Sequence, residues 1–283
     1  MADRATIVIP AHDEESVIER CLEVLLAGAR PDDFDVVVVS NGSSDGTVAR
    51  ARAAADRLRF PVVVIDLDRP SKIAAIREGI DHAAGGPVVV LDADIELPTS
   101  TALAVCRVLG RAEPVLASAR LRVDASRSSW WVRRYYRAWT ALPYVSSSMV
   151  GSGVFALNAA ALADIGALPD VTNDDGWVLR QFPVSQRVVV SGEFVAHAAR
   201  TVSALVARRA RIVNGNRELD QLRPPESDHG LQDLLRLARA RVISLADLLA
   251  FVVVTVASRV LAARRRATGD RSWAADRTSR VPG

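Results

Sequence analysis

The sequence predicts an α/β fold: a mostly parallel central sheet with helices on both faces, extended at the C-terminus by further helix. Three observations carry this expectation. Four short runs, "ATIVI", "DVVVVS", "PVVVI" and "PVVVL", have continuous apolar centres rather than an alternating pattern, as strands buried on both faces do. Segments with apolar residues at helical spacing lie between them. Short polar breaks separate each strand from each helix, the pattern of a parallel sheet built from strand–helix–strand units.

The elements follow in order. Residues 5–9 form the first strand, which stops at Pro10. Val17, Ile18, Cys21, Leu22, Leu25 and Leu26 mark a helix over 13–29, with Asp13, Glu14 and Glu15 in its first turn, where the helix dipole favours acids. Residues 34–40 are the second strand, "NGSSDGT" a turn, and 48–58 the second helix. A third strand (61–67), a third helix (71–84) and a fourth strand (86–94) complete the regular part. Beyond residue 100 the pattern loosens. A helix over 101–112 and a strand over 114–123 precede an aromatic and basic stretch, "SSWWVRRYYRAWTALPYV". A small-residue strand and a helix share 149–169, and an acidic turn leads into a helix over 172–182. One or two strands over 187–199 and a basic helix over 201–222 follow, and then "RPPESDHG" breaks the chain. Residues 231–266 read as helix, and the final residues are polar. The implied organisation is a main domain over 1–222, a helical segment over 223–266 and a tail over 267–283.

Bulk properties exclude several classes. With 283 residues, 49% of them hydrophobic, the chain can bury a sizeable core, and disorder over most of it is excluded. A net charge of only +3 argues against nucleic acid as a partner. The basic residues are almost all arginine, and Lys72 is the one lysine. Cys21 and Cys106 sit in apolar helical patterns and read as buried free thiols in a reducing compartment. "ATIVIP" is too short for the apolar core of a signal peptide, so a cytoplasmic location is expected.

In such sheets ligands bind beyond the carboxyl ends of the strands. "PAHDEE", "SNGSSDG" and "DAD" all fall there and converge on one rim. Asp92 and Asp94, two apart at the end of a buried strand, point to the same face. Two such carboxylates repel each other and are costly to desolvate. A divalent cation relieves both penalties, and hard oxygen ligands suit Mg2+ or Mn2+ bound together with substrate phosphates. The plainer alternative is a solvated turn.

The stretches "TIVIPAHDEESVIERCLEVLL", "VVVVSNGSSDGTVARA", "SKIAAIREGIDHAAGGPVVVLDADIEL" and "GSGVFALNAAALADIGALPDVTNDDGWVLRQF" together resemble the family 2 glycosyltransferases of the GT-A fold. The resemblance covers residues 4–220 or so and implies a metal-dependent, inverting transfer of a sugar from a nucleotide-sugar donor to a hydroxyl acceptor. It places Pro10, Ala11 and Glu14 by the donor's base and ribose. It makes Asp94 the direct metal ligand, with Asp92 on the nucleoside or metal. UDP is the family's commonest carrier, and GDP and dTDP stay open. Where relatives carry two aspartates after the second strand, this chain has Ser40 and Asn41. An amide donates as well as accepts, so Asn41 alters what the base meets.

Further roles follow from the same resemblance. Lys72 stands where relatives often have a donor-binding lysine. "TNDDGWV" supplies an acidic pair, with Asp175 as the general base and Asp174 its neighbour, although "NDDG" also suits a capped turn. Gly151, Ser152 and Gly153 would place backbone against the sugar or acceptor. The chain lacks the Gln-x-x-Arg-Trp motif of many relatives, which argues against a processive polymer synthase. Arg208, Arg209 and Arg211 could neutralise the leaving diphosphate instead, unless they form only a solvated basic helix. His197 is a candidate late metal ligand, with a structural role as the alternative.

"LADLLAFVVVTVASRVLA" is nearly long enough to span a bilayer, but Asp247 and Arg259 leave a clean apolar centre of about ten residues. Three placements stay open: on a membrane surface or re-entrant within it, packed against the body or a second copy of the chain, or across a membrane. Crossing would put "ARRR" outside the cytoplasm, against the positive-inside tendency. A surface helix would bring the chain to the inner face of the cell membrane and suits a lipid-linked or cell-envelope acceptor, beside glycan or small-molecule acceptors. Two rival functions remain: a sugar nucleotidyltransferase, disfavoured because "PAHDEE" is acidic where a basic phosphate loop is needed, and a non-catalytic glycan-binding scaffold.

Overall fold

The structure is a computed structural model that describes residues 4–146, 149–222 and 231–268. The first half is regular. Strands β1 (Thr6–Ala11), β2 (Asp35–Asn41), β3 (Val62–Leu67) and β4 (Val88–Leu91) alternate with helices α1 (Ile18–Leu26), α2 (Thr47–Leu58) and α3 (Lys72–His82). The second half adds β5 (Ile95–Glu96), α4 (Thr99–Val108), β6 (Leu116–Asp124), α5 (Trp130–Ala141), α6 (Pro143–Ser146), β7 (Val154–Leu157), α7 (Ala159–Ile165), α8 (Asp174–Gln181) and β8 (Arg187–His197). Helices α9 (Val202–Leu222), α10 (Leu231–Arg239) and α11 (Leu245–Ala267) close the described chain.

The strands form one sheet in the order β3-β2-β1-β4-β7-β6-β8-β5. β1 pairs in parallel with β2 and β4, and β2 with β3. The other half is mixed: β7 runs antiparallel to β4 and β6, β6 is parallel to β8, and the two-residue β5 pairs antiparallel with β8. The continuous apolar strands are explained by two cores. Ile7, Ile9, Val36, Val38, Val89 and Leu91 pack into one face with α1, α2 and α4. Their neighbours Val8, Val37, Val39, Val88 and Val90 pack into the other with α3, α7 and α8. Each such side chain contributes about 1.5–3 kcal/mol on burial, so the apolar positions of β1, β2 and β4 favour the interior; β3, at the edge of the sheet, is a correction, since its positions stay half-buried or exposed.

The acidic start of the first helix is a correction. Helix α1 begins only at Ile18, and Glu19 is the one acid in its first turn. Asp13 instead takes a left-handed conformation (φ 52), and its Oδ1 accepts the Ser44 N–H at 2.7 Å. Glu15 accepts the Gly46 N–H at 3.1 Å. Unsatisfied N–H groups ahead of α2 compete for these carboxylates, and a tertiary partner outweighs the weak pull of the helix's own dipole.

The C-terminal segment is also divided differently. The helix expected over 231–266 is two helices, separated by a turn in which Arg241 has φ 57. Ser244 caps α11: its hydroxyl accepts the Asp247 N–H, and Asp247 returns the bond to the Ser244 backbone. This reciprocal box starts a new helix. Helix α11 is long and apolar enough to cross a membrane by length and composition, with a mean hydropathy of 2.0. It packs along α5 and α9 through Ala250, Val254, Ser258 and Ala262. Tyr135 stacks on Phe251 at 5.2 Å within a third core, which joins α5, α9, α10 and α11. The "RPPESDHG" break and the polar tail lie outside the described residues. Cys21 and Cys106 are free thiols, and burial pushes both up, Cys106 to about 12.

Candidate active site

A cavity of about 860 Å3 opens on the rim beyond β1, β2 and β4, and α8 and α9 wall its far side. Pro10, Glu14, Asn41, Lys72, Asp92 and Asp94 line it from the first half of the chain. Gly151, Ser152, Gly153, Asp174, Asp175, His197, Arg208, Arg209 and Arg211 line it from the second. Of the residues singled out from the first and second strand ends, Ala11 and Ser40 stay off the surface of the cavity. The Ala11 side chain is buried. The Ala11 carbonyl accepts the Asn41 Nδ2–H at 2.8 Å, while Asn41 Oδ1 accepts the Ser71 N–H at 3.1 Å. Asn41 thus ties β1 to the start of α3, a double role that an ionised aspartate could not fill, because it has no donor.

The acidic pair after β4 is asymmetric. Lys72 Nζ lies 2.8 Å from Asp92 Oδ1 and 3.0 Å from Asp174 Oδ2. Burial works to lower the Lys72 pKa, but Asp174 and Asp92 together hold it well above its usual range. The Asp92 carboxyl is pushed up to about 6, by burial first and then by Asp174 and Asp94, against the pull of Lys72. Asp94 lines the same cavity and makes no hydrogen bond or ion pair among the described residues. A carboxylate left in that state beside a neutralised partner fits a site for a hard divalent cation. Among the described residues no three His, Cys, Asp or Glu side chains gather as a complete metal cage. Mg2+ bound through one or two carboxylates plus substrate phosphates does not need one.

Asp175 stands across the cavity at the start of α8. Its Oδ1 accepts the Gly176 N–H at 2.8 Å and its Oδ2 the Gly153 N–H at 3.1 Å. Burial and the adjacent Asp174 raise its pKa, which suits a proton acceptor. The turn reading of "NDDG" holds as well: Asn173 caps α8, accepting the Gly176 N–H at 3.1 Å. Gly153 is where the two acidic groups meet. Its φ is +89, its carbonyl accepts the Asp92 N–H at 2.8 Å, and a Cβ there would lie 2.9 Å from Asp92 Oδ2. A Cβ on Gly151 would lie 3.0 Å from Asp175 Cγ.

The basic helix α9 faces inward rather than into solvent. Arg208 donates to the His197 carbonyl at 3.4 Å. The Arg209 guanidinium sits 5.9 Å from the centroids of both Tyr135 and Trp139, an arrangement that orients the cation without neutralising it. His197 is held between carboxylates, with Nε2 at 2.7 Å from Glu96 Oε1 and Nδ1 at 3.6 Å from Asp124 Oδ2. Arg20 reaches the same Glu96 oxygen at 2.9 Å. The cavity continues into an apolar annex made by Leu121, Val123, Tyr136, Trp139, Tyr144 and Met149. The aromatic stretch, for which the sequence leaves a lipid-facing surface or core packing with acceptor contacts open, thus packs in the core and lines the cavity through Tyr136, Trp139 and Tyr144.

Comparison with known proteins follows the same lines. The profile of "Glycosyl transferase family 2" matches residues 6–159. An undecaprenyl-phosphate 4-deoxy-4-formamido-L-arabinose transferase of Sodalis glossinidius is 29% identical over 143 residues, 50% of this chain and 43% of that protein. A transferase of the same name from Pseudomonas fluorescens is 36% identical over 96 residues, 33% of this chain and 28% of that protein. The matches thus span less than half the length of these curated relatives. Among solved structures, a mannosyltransferase from Pyrobaculum calidifontis, in complex with GDP-Man and Mn2+, aligns over 95% of this chain and 80% of its own at 21% identity, with a TM-score of 0.60. Glucosyl-3-phosphoglycerate synthase from Mycobacterium tuberculosis, in complex with Mn2+ and UDP-glucose, aligns over 76% of this chain and 78% of its own at 19% identity, with a TM-score of 0.54. Likeness at such identities is one of fold, and that fold is the expected GT-A architecture. A profile match across residues 6–159 of 283 is what settles ancestry: the chain belongs to glycosyl transferase family 2.

Proposed function

We propose that this chain transfers a sugar, with inversion, from a nucleotide-sugar donor to a lipid-linked acceptor. The observation that carries the reading is that Asp94, open for a cation, and Asp175, raised and aimed by two backbone N–H groups, line one cavity. The donor diphosphate would lie between Asp94 and the arginines of α9. Asp175 would take the proton of the acceptor hydroxyl while its oxygen forms a bond to the anomeric carbon. The bond from that carbon to the diphosphate breaks in the same step, and its electron pair leaves with the nucleoside diphosphate. Arg208, Arg209 and Arg211 oppose the charge that gathers there. A divalent cation such as Mg2+ or Mn2+, held by Asp94, would supply further neutralisation of the diphosphate. Lys72 keeps Asp92 and Asp174 compensated and so leaves Asp94 and Asp175 for the chemistry.

Donor complexes of the two solved neighbours, with GDP-Man and with UDP-glucose, support a nucleotide-sugar and a metal without choosing the base. The curated relatives' names support an undecaprenyl-phosphate type of acceptor and, with it, work at the inner face of the cell membrane. They also favour a second reading, in which the attacking atom is a lipid phosphate oxygen and needs no base.

Thermal stability with UDP, GDP, dTDP and CMP, each with Mn2+ or with EDTA, tests the donor site. A nucleotide that binds the native state must raise the midpoint by mass action. The expected result is a rise with one nucleotide, dependent on metal and abolished in Asp94→Ala. A well-folded protein that responds to none would turn the assignment toward the non-catalytic scaffold.

A further inference from the structure

The outer face of α11 is apolar for most of its length. Leu245, Leu249, Val252, Val253, Val256 and Val260 are all exposed, Leu245 at 79%, and their spacing puts them on one side of the helix. They form a stripe of about 22 Å, opposite the Ala250, Val254, Ser258 and Ala262 face that packs on α5 and α9. A contiguous exposed stripe of this kind marks a contact surface.

Two further observations identify what the stripe meets. Trp130 and Trp131, at the start of α5, are 46% and 40% exposed and pack edge to face at 5.2 Å. Arg134 links them to the first turn of α11 from its packed side: its guanidinium covers the Trp130 ring at 5.1 Å and bonds Oδ1 of the buried Asp247 at 3.2 Å. Exposed indole rings close to the end of an apolar helix are enriched at membrane–water interfaces. The charge is one-sided as well. Residues 231–268 hold seven arginines and two aspartates, and the aspartates are already paired, Asp247 with Arg134 and Asp233 with Arg236. Arg239, Arg241, Arg259, Arg264 and Arg266 are exposed around the stripe.

We propose that this face docks on an anionic phospholipid bilayer, with α11 lying along the surface rather than through it. The apolar side chains enter the headgroup boundary, the indoles sit at its level, and the arginines meet lipid phosphates. The inner face of α11 stays on the protein, which a spanning helix would have to give up. Pairing of two such faces in a dimer would bring arginine clusters together, and their repulsion disfavours it. Helix α9 lies between α11 and the cavity and lines the latter with Arg208, Arg209 and Arg211. Packed helices lie about 8–10 Å apart, so docking sets the bilayer one helix away from the candidate site.

The test is co-sedimentation of the full chain with vesicles of phosphatidylcholine alone or mixed with phosphatidylglycerol, at low and high salt. The expected result is binding to the mixed vesicles at least about tenfold tighter than to phosphatidylcholine and weakened by salt. Val253→Glu with Val256→Glu should abolish binding while circular dichroism and the thermal midpoint stay unchanged, because both side chains are exposed. Arg259→Gln with Arg264→Gln should reduce the preference for phosphatidylglycerol. Wild-type protein left in the supernatant, or glutamate variants that still bind, would overturn the proposal. So would a dimer in light scattering that the glutamate variants dissociate, with no vesicle binding. The assay uses neither donor nor acceptor, so its failure leaves the transferase reading to its own test.

Discussion

Lys72 Nζ lies 3.0 Å from Asp174, which is 102 residues further along the chain and only 4% exposed. One cation thus joins the start of α3 to the start of α8, with Asp92 at the end of β4 as its second partner. The two halves of the chain meet electrostatically at the candidate site. Lys72→Met should strand two carboxylates that both pair with this one ammonium group. Removing one partner of a buried pair costs about 3–5 kcal/mol, and Lys72 keeps some water contact, so a loss of about 3 kcal/mol is expected. Urea unfolding measures it, and adding Asp174→Asn should restore part of the loss. An unchanged midpoint in Lys72→Met would mean that the ion pairs carry no stability.

Asp175→Asn separates the two acceptor readings. With a hydroxyl acceptor, the turnover rate should fall by about 10²–10⁴ while the nucleotide-dependent rise in thermal midpoint is kept. A phosphate monoester with its second pKa near about 6 is already ionised at neutral pH and needs no base. Turnover within about tenfold of wild type would therefore point to a lipid phosphate.

Gly153→Ala should damage the site and the fold together. The φ of +89 disfavours any side chain, and the new Cβ would press on Asp92 Oδ2 at 2.9 Å. A strained residue in that region costs about 1–3 kcal/mol. A drop of that size in unfolding free energy, with loss of the metal-dependent nucleotide response, is the expected outcome. A normal response with normal stability would show that this backbone relaxes freely.

Asp247 adds a pH dependence away from the site. Burial would raise its pKa, but the Ser244 N–H and hydroxyl together with Arg134 hold it below the usual 3.8. A folded-state pKa below the unfolded one contributes stability above about pH 4, which fades as pH falls through the folded value. Ser244→Ala should cost about 1 kcal/mol at neutral pH. The stability gap between wild type and Asp247→Asn should close as the pH drops below about 4. A gap independent of pH would remove the charge from the account and leave only the cap geometry.

Much of the fold was legible because its signals are local. Strands β1, β2 and β4 have continuous apolar centres, and burial on both faces is the environment that suits such a run, whereas β3, which reads the same in sequence, lies half-buried at the edge of the sheet. Asp92 and Asp94 were legible for the same reason, since two carboxylates directly after such a strand can only sit on the rim. The start of α1 was misread because the competition for Asp13 and Glu15 comes from residues 44 and 46, across a loop. The break before α11 was written in Ser244 and Asp247, but the apolar pattern on either side masked it.

The sequence by itself determined the strand–helix alternation, the rim and the residue types that could act there. Tertiary structure alone decided how those residues divide their work. Lys72 neutralises Asp92 and Asp174 and leaves Asp94 open, Asn41 braces backbone beside the cavity, and Arg209 is aimed by Tyr135 and Trp139. It also decided which side of α11 faces outward. The physical reason is range: hydrophobic periodicity acts over a few residues, whereas ion pairs and hydrogen bonds between distant segments depend on distances that exist only once the sheet and its helices have closed.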